Sequence, residues 1–395
     1  MIIIASFVIV MLILFWVVVA LVARRFDLKK RGISVSPGMI MWRTKKGLKL
    51  IDRLSKPKRF WRIYGNIAVV VGIIMMVFMA VNLALNLILL LESPVTTAAG
   101  VQFVLPGLVP GLTPLNWIIG IGTVLIVHEL AHGFLTRAQN MKIDSVGGMF
   151  FIAIPGAFVE PNEKQLSAAS IMKRLRIYAV GAFTNILFAV LILGLILVLV
   201  VPKPGVYVDG LAAGSPADNH NIGFGMRLYS VNGIEMNTPA DFERFMNTTV
   251  PGEKIRVITS AGENMITLVQ SPYYENRGFL GIHLVSTISR WNFVNPLYVL
   301  GAAMAQLLGT NIFHPYIFEA LVPWAVIDAL KWIFALNIGI GLFNLVPMVP
   351  LDGGYILRGI FEKIVSKKKA VAISRVAAYL ILGLLVANIL IAWFW

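Results

Sequence analysis

His128 and His132 stand four residues apart, with Glu129 beside the first, in the run His128-Glu129-Leu130-Ala131-His132. On a helix this spacing sends both imidazoles from one face, where they can hold a single Zn²⁺, and Glu129 can take a proton from water at the metal. The five residues lie inside an otherwise uncharged run from Leu115 to Leu135. Ionisable side chains in hydrocarbon are costly to insert and persist there where they serve a function. The pattern therefore reads as a hydrolytic zinc motif set within a membrane.

Composition agrees with that medium. The 395-residue chain is 58% hydrophobic and 13% charged, with a mean hydropathy of +0.82, values that belong to integral membrane proteins. Cysteine is absent, so neither a disulfide framework nor a thiolate metal site is available. The formal charge of +15 is concentrated: 14 of the 34 Lys and Arg residues fall between Arg24 and Arg62, opposed only by Asp27 and Asp52. A short basic loop between apolar segments follows the positive-inside rule and points to the lipid bilayer, with no nucleic acid as partner.

Crossing the hydrocarbon takes about 20 apolar residues as helix, and six segments qualify: 2–22, 63–91, 115–137, 177–201, 324–348 and 371–394. The first has no basic n-region and carries its charges after the apolar stretch, which predicts a retained anchor. With the Arg24–Arg62 loop in the cytosol, the HELAH helix runs inward and ends at Arg137 and Lys142. The fourth helix then starts from Lys173, Arg174 and Arg176, and the Ser366–Lys369 loop is cytosolic again. The 202–292 region carries 7 Lys or Arg against 8 Asp or Glu, as a translocated, extracytosolic domain can. His128 follows Leu115 by 13 residues, about 20 Å along a helix in a core about 30 Å thick. A metal there lies nearer the cytosolic face.

Between the third and fourth segments, Ser145 to Glu160 is apolar, bears glycines and is too interrupted to span. A re-entrant β-hairpin beside the metal fits it, because irregular backbone at membrane depth survives only where protein buries it or where it lines a cavity. A short interfacial linker is the plainer alternative. The stretch from Trp291 to Pro323, with Pro296, His314 and Pro315, fits an interfacial helix or an additional half-membrane segment.

From Pro202 to Ser286 hydrophobicity falls and turn chemistry takes over. Ser215-Pro216 and Thr238-Pro239-Ala240-Asp241 read as helix caps followed by proline at the first helical position. Asn232-Gly233 between Leu228–Val231 and Ile234–Met236 is a hairpin signal, and further strands are expected at Lys254–Thr259 and Asn264–Gln270. The insert is thus a small α/β domain. Its run from Gly214-Ser215-Pro216-Ala217-Asp218 through Gly225 to Gly233 resembles a PDZ domain of the bacterial and archaeal type, with Gly225-Met226 where Gly-Asp is usual. The resemblance implies contact with a peptide or ectodomain by strand addition; a domain that only blocks or spaces access is the alternative.

A catalytic zinc needs a third protein ligand and an open position. His220, His283 and His314 lie in or near the translocated region, across the membrane from His128. Asp352 stands out, following the fifth helix in Asn344-Leu345-Val346-Pro347-Met348-Val349-Pro350-Leu351-Asp352-Gly353-Gly354 on the inferred cytosolic side. Asp328 is the competitor, with Lys331 one turn away as its own partner. Gly353 and Gly354 are expected to turn the chain sharply so that Asp352 faces inward.

Taken together, the HELAH helix, the apolar hairpin, Gly181-Ala182-Phe183-Thr184-Asn185, the PDZ-like insert and the Asn344–Gly354 stretch resemble the membrane-embedded site-2 protease family over most of residues 115–365. The resemblance implies a polytopic α-helical membrane protein that hydrolyses peptide bonds in or near transmembrane segments of single-span substrates, in regulated intramembrane proteolysis. It implies Zn²⁺ on His128, His132 and Asp352, and Glu129 as general base. Asn185 matches the asparagine of the family's Gly-Pro-x-x-Asn motif, with Ala182 in place of proline, and Asn344 matches a second motif asparagine. Both are amide donors able to hold substrate backbone or a developing oxyanion, or to bond between helices. The organisation expected is an anchor and basic loop over 1–62, a membrane portion over 63–201, the insert over 202–290 and a second membrane portion over 291–395. A substrate helix must unwind to be cut, and the 146–159 hairpin offers an edge to which it can add as a strand. Competing readings are a prenyl-peptide-type membrane zinc protease with Glu362 as third ligand, a metal transporter, which would not need Glu129, and a non-catalytic PDZ scaffold.

Overall fold

The computed structural model describes residues 2–26, 28–92, 104–152, 154–220, 222–223, 225–286, 295–307, 313, 315 and 317–394. The chain divides into two compact units, Met1–Leu191 with Trp332–Trp395, and Ile192–Lys331.

The first unit begins with helix α1 (Ile2–Arg25), strands β1 (Ile33–Ser36) and β2 (Met39–Thr44) and helices α2 (Leu48–Leu54) and α3 (Lys58–Glu92). Helix α4 (Pro114–Ala138), strands β3 (Ile143–Phe151) and β4 (Ile154–Pro161), and helices α5 (Glu163–Ala168) and α6 (Ile171–Leu199) follow. Thr113 caps α4, its hydroxyl accepting from Asn116 N at 3.2 Å, with Pro114 at the first helical position. Among the described residues, five helices are long and apolar enough to cross a membrane: Lys58–Leu91, Pro114–Ala138, Ile171–Leu199, Trp324–Asn344 and Lys367–Ile391. On α3, the exposed residues Ile67, Val70, Ile74, Val77, Val81, Leu85 and Ile88 recur every three or four positions. Such a stripe suits lipid and not water.

The strands form a four-stranded antiparallel sheet in the order β1-β2-β3-β4, with Met41 opposite Met149 and Val146 opposite Val159. A β-hairpin thus occupies the apolar segment expected to form one, and a second hairpin from the basic loop extends it. That second hairpin has a local cause: Ile33-Ser34-Val35-Ser36 alternates in polarity and runs into the turn dipeptide Pro37-Gly38. Glycine at 147 and 148 leaves β3 bare where Arg43 and Trp42 of β2 lie opposite.

In the second unit, β5 (Val200–Pro202), β6 (Val206–Leu211), α7 (Pro216–Asn219), β7 (Arg227–Val231), β8 (Ile234–Glu235), α8 (Pro239–Met246), β9 (Lys254–Thr259) and β10 (Gly262–Thr267) follow in turn. Strands β11 (Val269–Gln270), β12 (Gly278–Phe279) and β13 (Ile282–Ser286), helix α9 (Pro296–Leu307) and strand β14 (Phe318–Ala320) complete it. The main sheet runs β10-β9-β7-β6-β13, with β8 on β7. Asn232 and Gly233 have φ of 48° and 81°, the left-handed pair that a two-residue hairpin requires. Thr238 and Asp241 form a reciprocal capping box that starts α8. Val208, Ala217, Leu228, Val231, Ile255, Val257, Ile266 and Leu280 fill the core. Helix α9, apolar and 12 residues long, is too short to span, and His314 lies outside the described residues.

Helices α10 (Trp324–Asn344), α11 (Asp352–Phe361) and α12 (Lys367–Phe394) end the chain. Helix α10 stops short of the expected 348 because Pro347 lacks a backbone N–H and disfavours helix at the residue before it. The core of the first unit joins Ala68 and Met76 of α3, Ala131 and Leu135 of α4, Leu175, Ala179 and Ala182 of α6, and Ile356 of α11. Small residues at these crossings let helix backbones approach closely.

Candidate metal centre

Helix α4 carries His128 and His132 on one face, and their Nε2 atoms lie 3.0 Å apart. His132 Nδ1 is 2.7 Å from the carbonyl of Ile177 on α6. That carbonyl can only accept, so Nδ1 holds the proton and Nε2 offers a lone pair. Asp352, first residue of α11, brings Oδ2 to 3.4 Å from His128 Nε2 and 3.5 Å from His132 Nε2. This oxygen is buried without a hydrogen-bond partner. His128, His132 and Asp352 form a group whose ligand atoms all lie within 4.8 Å of one another.

Two imidazoles and a carboxylate are a donor set suited to catalytic zinc, which keeps a further position open. The orphaned Oδ2 of Asp352 and the converging Nε2 atoms fit such an ion. So does the backbone opposite: a Cβ on Gly181 would stand 2.3 Å from His132 Nε2 and 2.8 Å from His128 Nε2. Only glycine on α6 leaves that volume free. The Gly181–Asn185 run was conspicuous in the sequence, but nothing local marked Gly181 as facing the histidines.

Asp352 is positioned by the residues that follow it. A Cβ at Gly353 would meet Leu345 O at 2.1 Å, and one at Gly354 would meet Val349 N at 2.3 Å. Both glycines lie in helix, without positive φ. The expectation of a sharp glycine turn is thereby corrected: they are needed because the Leu345–Val349 backbone passes against the start of α11.

Glu129 points to the hairpin, its Oε2 accepting from Val159 N at 2.8 Å. A cavity of about 850 Å³ opens onto Glu129, His128, His132 and Asp352, and Val159, Tyr178, Asn344 and Tyr355 are among its other walls. Asn344 ends α10 at this cavity. Asn185 does not line it; fully buried, it lies one turn beyond Gly181, with Nδ2 3.4 Å from His128 Nδ1.

The other candidates are engaged elsewhere. Glu362 lies 2.5 Å from Arg174 and 3.1 Å from Arg358, with its side chain 5% exposed, so it serves as an ion-pair partner and not as a third ligand. Asp328 pairs with Lys331 at 2.6 Å. His220 Nδ1 is 2.7 Å from Pro216 O, and His283 lies 3.5 Å from Asp209.

Fold and site together define a membrane-borne metallohydrolase of the HExxH type. The chain belongs to peptidase family M50, which it matches over residues 116–388, well over half its length. It is therefore a zinc metalloprotease of the site-2 protease kind. It is 28% identical over 384 residues to an uncharacterised protein of Methanocaldococcus jannaschii, covering 94% of this chain and 90% of that one. A Brucella melitensis protein provisionally named a zinc metalloprotease is 25% identical over 60% of this chain and 75% of its own. The protease RseP of Yersinia pestis is 26% identical over 148 residues, 30% of this chain and 33% of its own. Among solved structures, the PDZ domain of an SdrC-like protein from Listeria monocytogenes is similar at 21% identity and a TM-score of 0.19, over 22% of this chain and 92% of that one.

Proposed function

We propose that this zinc metalloprotease acts in regulated intramembrane proteolysis, cutting single-span membrane proteins in or near their transmembrane segments. The observation that carries the proposal is the convergence of His128 Nε2, His132 Nε2 and the orphaned Asp352 Oδ2 in a unit with apolar, lipid-suited helix faces. These three residues are the proposed zinc ligands. When bound there, zinc supplies a Lewis acid that polarises the scissile carbonyl and acidifies water.

Glu129 takes the proton of the attacking water and delivers it to the leaving amine nitrogen. Asn344, on the cavity wall, donates its amide N–H to the substrate carbonyl oxygen as negative charge develops there. Strand β4 receives the unwound substrate along its outer edge. Two observations support this: Val159 N–H donates to Glu129, so that edge faces the base, and among the described residues no strand lies beyond β4. The hairpin is read as re-entrant because Phe151 and Ile152 at its tip are exposed, a placement that lipid favours.

The six-span arrangement takes the 24-residue helix α1 as the sixth crossing. Basic residues at Arg24–Arg62, Lys173–Arg176 and Lys367–Lys369 support a site nearer the cytosolic face and an extracytosolic insert. The insert, read as PDZ-like from its capped helices and Asn232-Gly233 hairpin, selects substrates by their ectodomains. The deciding experiment incubates purified protein with a panel of single-span substrates and maps cleavage by mass spectrometry. Cuts within the spans that vanish with chelator and in Glu129→Gln are expected; cuts confined to soluble loops would overturn the reading.

A further inference from the structure

His128 can give zinc its Nε2 lone pair only if the ring proton sits on Nδ1, and an Nδ1–H buried in protein needs an acceptor. The group within reach is the side-chain amide of Asn185, 3.4 Å away and fully buried. As placed, the amide turns Nδ2 toward the ring and leaves Oδ1 buried with no partner. Oxygen and nitrogen of an amide are told apart by their hydrogen-bond network, and here the metal-binding tautomer decides: an amide rotated by half a turn places Oδ1 against Nδ1–H. His132 is served in the same way, its Nδ1–H donating to Ile177 O at 2.7 Å. Both acceptors come from α6, one turn either side of Gly181, which leaves room for the ion.

We infer that Asn185 is a positioning residue, accepting a hydrogen bond from His128 Nδ1–H and thereby fixing the tautomer and ring plane in which His128 holds zinc. It then makes no contact with substrate, whereas Asn344 on the cavity wall is placed to do so. The inference rests on His128 being a zinc ligand.

Two substitutions of similar volume separate an acceptor from a donor. Asn185→Leu removes all hydrogen bonding, and Asn185→Asp keeps an acceptor while removing the N–H₂ group. Zinc affinity, measured by chelator competition on purified full-length protein, should weaken about 10- to 100-fold in Asn185→Leu and be rescued in Asn185→Asp. The ligand-field spectrum of the Co²⁺-loaded protein should shift in the former and return toward wild type in the latter. If Asn185→Leu fails to fold, the aspartate variant decides alone: zinc and turnover both held supports the acceptor, and zinc held with turnover lost makes Asn185 a donor to substrate and overturns the inference. Wild-type zinc affinity in a folded Asn185→Leu also overturns it. His128→Ala is the control: if it loses zinc while Asn185→Leu keeps it, only the inference falls, and if it keeps zinc, the ligand assignment falls.

Discussion

Val159 and Glu129 are joined by a hydrogen bond of 2.8 Å from a strand N–H to a carboxylate oxygen. The bond ties the proposed base to the edge on which substrate is proposed to lie. Its removal can be tested without touching the metal, because proline has no N–H to donate and is tolerated on edge strands. Val159→Pro should keep zinc and lose about tenfold or more in kcat through a poorly aimed base. Unchanged kcat would show that Glu129 needs no aiming from the hairpin.

The ligands and the base should separate cleanly. His128→Ala, His132→Ala and Asp352→Ala should each lose zinc by elemental analysis and lose cleavage, whereas Glu129→Gln should retain zinc and lose about 10²- to 10⁴-fold in turnover. Full zinc occupancy in Asp352→Ala would mean that another group is the third ligand.

Gly181→Ala places a methyl 2.3 Å from His132 Nε2. The imidazoles must shift to admit it, so the variant should bind zinc poorly, while a gain of about 1 kcal/mol in helix propensity offsets part of the crowding in the apo protein. Normal zinc binding with normal activity would show that α6 can draw back and that glycine there is incidental.

Glu362 should make stability depend on pH. Burial by itself would raise its carboxyl, but the hydrogen bond and charge of Arg174, followed by those of Arg358, outweigh burial and hold it below the usual carboxylate range. A group depressed in this way stabilises the fold above its unfolded value of about 4.3 and loses that contribution as pH falls through the folded value. Glu362→Gln, which removes the negative charge that Arg174 and Arg358 share, should lower the thermal midpoint at neutral pH. Its thermal melting should converge on wild type under acid conditions. A gap that stays constant with pH would remove charge from the explanation.

Sidedness can be measured against a background without cysteine. Ser36, Asn237 and Ser366 are all exposed on the protein, but Ser36 lies at the same sheet tip as Phe151, which the re-entrant reading places in lipid, so positions 237 and 366 are the ones that report the compartment. An impermeant thiol reagent on intact cells should spare a cysteine at position 366 and modify one at 237; the reverse pattern would invert the topology.

Much of the site was legible because its chemistry is written in short spacings. His128, Glu129 and His132 share one helix face by their intervals alone, and Asp352 was marked by its setting among prolines and glycines. The hairpin at Asn232-Gly233 and the helix start at Thr238 followed equally local rules. What stayed hidden depends on contacts between distant segments. Gly181 looks like any helix glycine until α6 is set against α4, and Asn185, readable as a substrate donor or as a bond between helices, shows its place behind His128 only in the fold. Strands β1 and β2 are hard to read in the sequence because the alternation in Ile33–Ser36 is short and lies within a strongly basic stretch. Gly353-Gly354 carries a local turn signal, whereas its actual cause, crowding by the Leu345–Val349 backbone, cannot be read from a local pattern.

The proposed zinc donors come from opposite ends of a long stretch of chain, with His132 on α4 and Asp352 on α11 more than two hundred residues apart. An ion held by both is a cross-link that closes this loop, in a protein that has no disulfide to do so. The entropy of the open loop grows only with the logarithm of its length, so the large insert between the two ends adds little to the cost of closure. Whatever binds the folded form alone stabilises it by mass action. With zinc on these proposed ligands, its occupancy and the cohesion of the first unit would be one equilibrium, and the ion would serve as a fastener as well as a reagent.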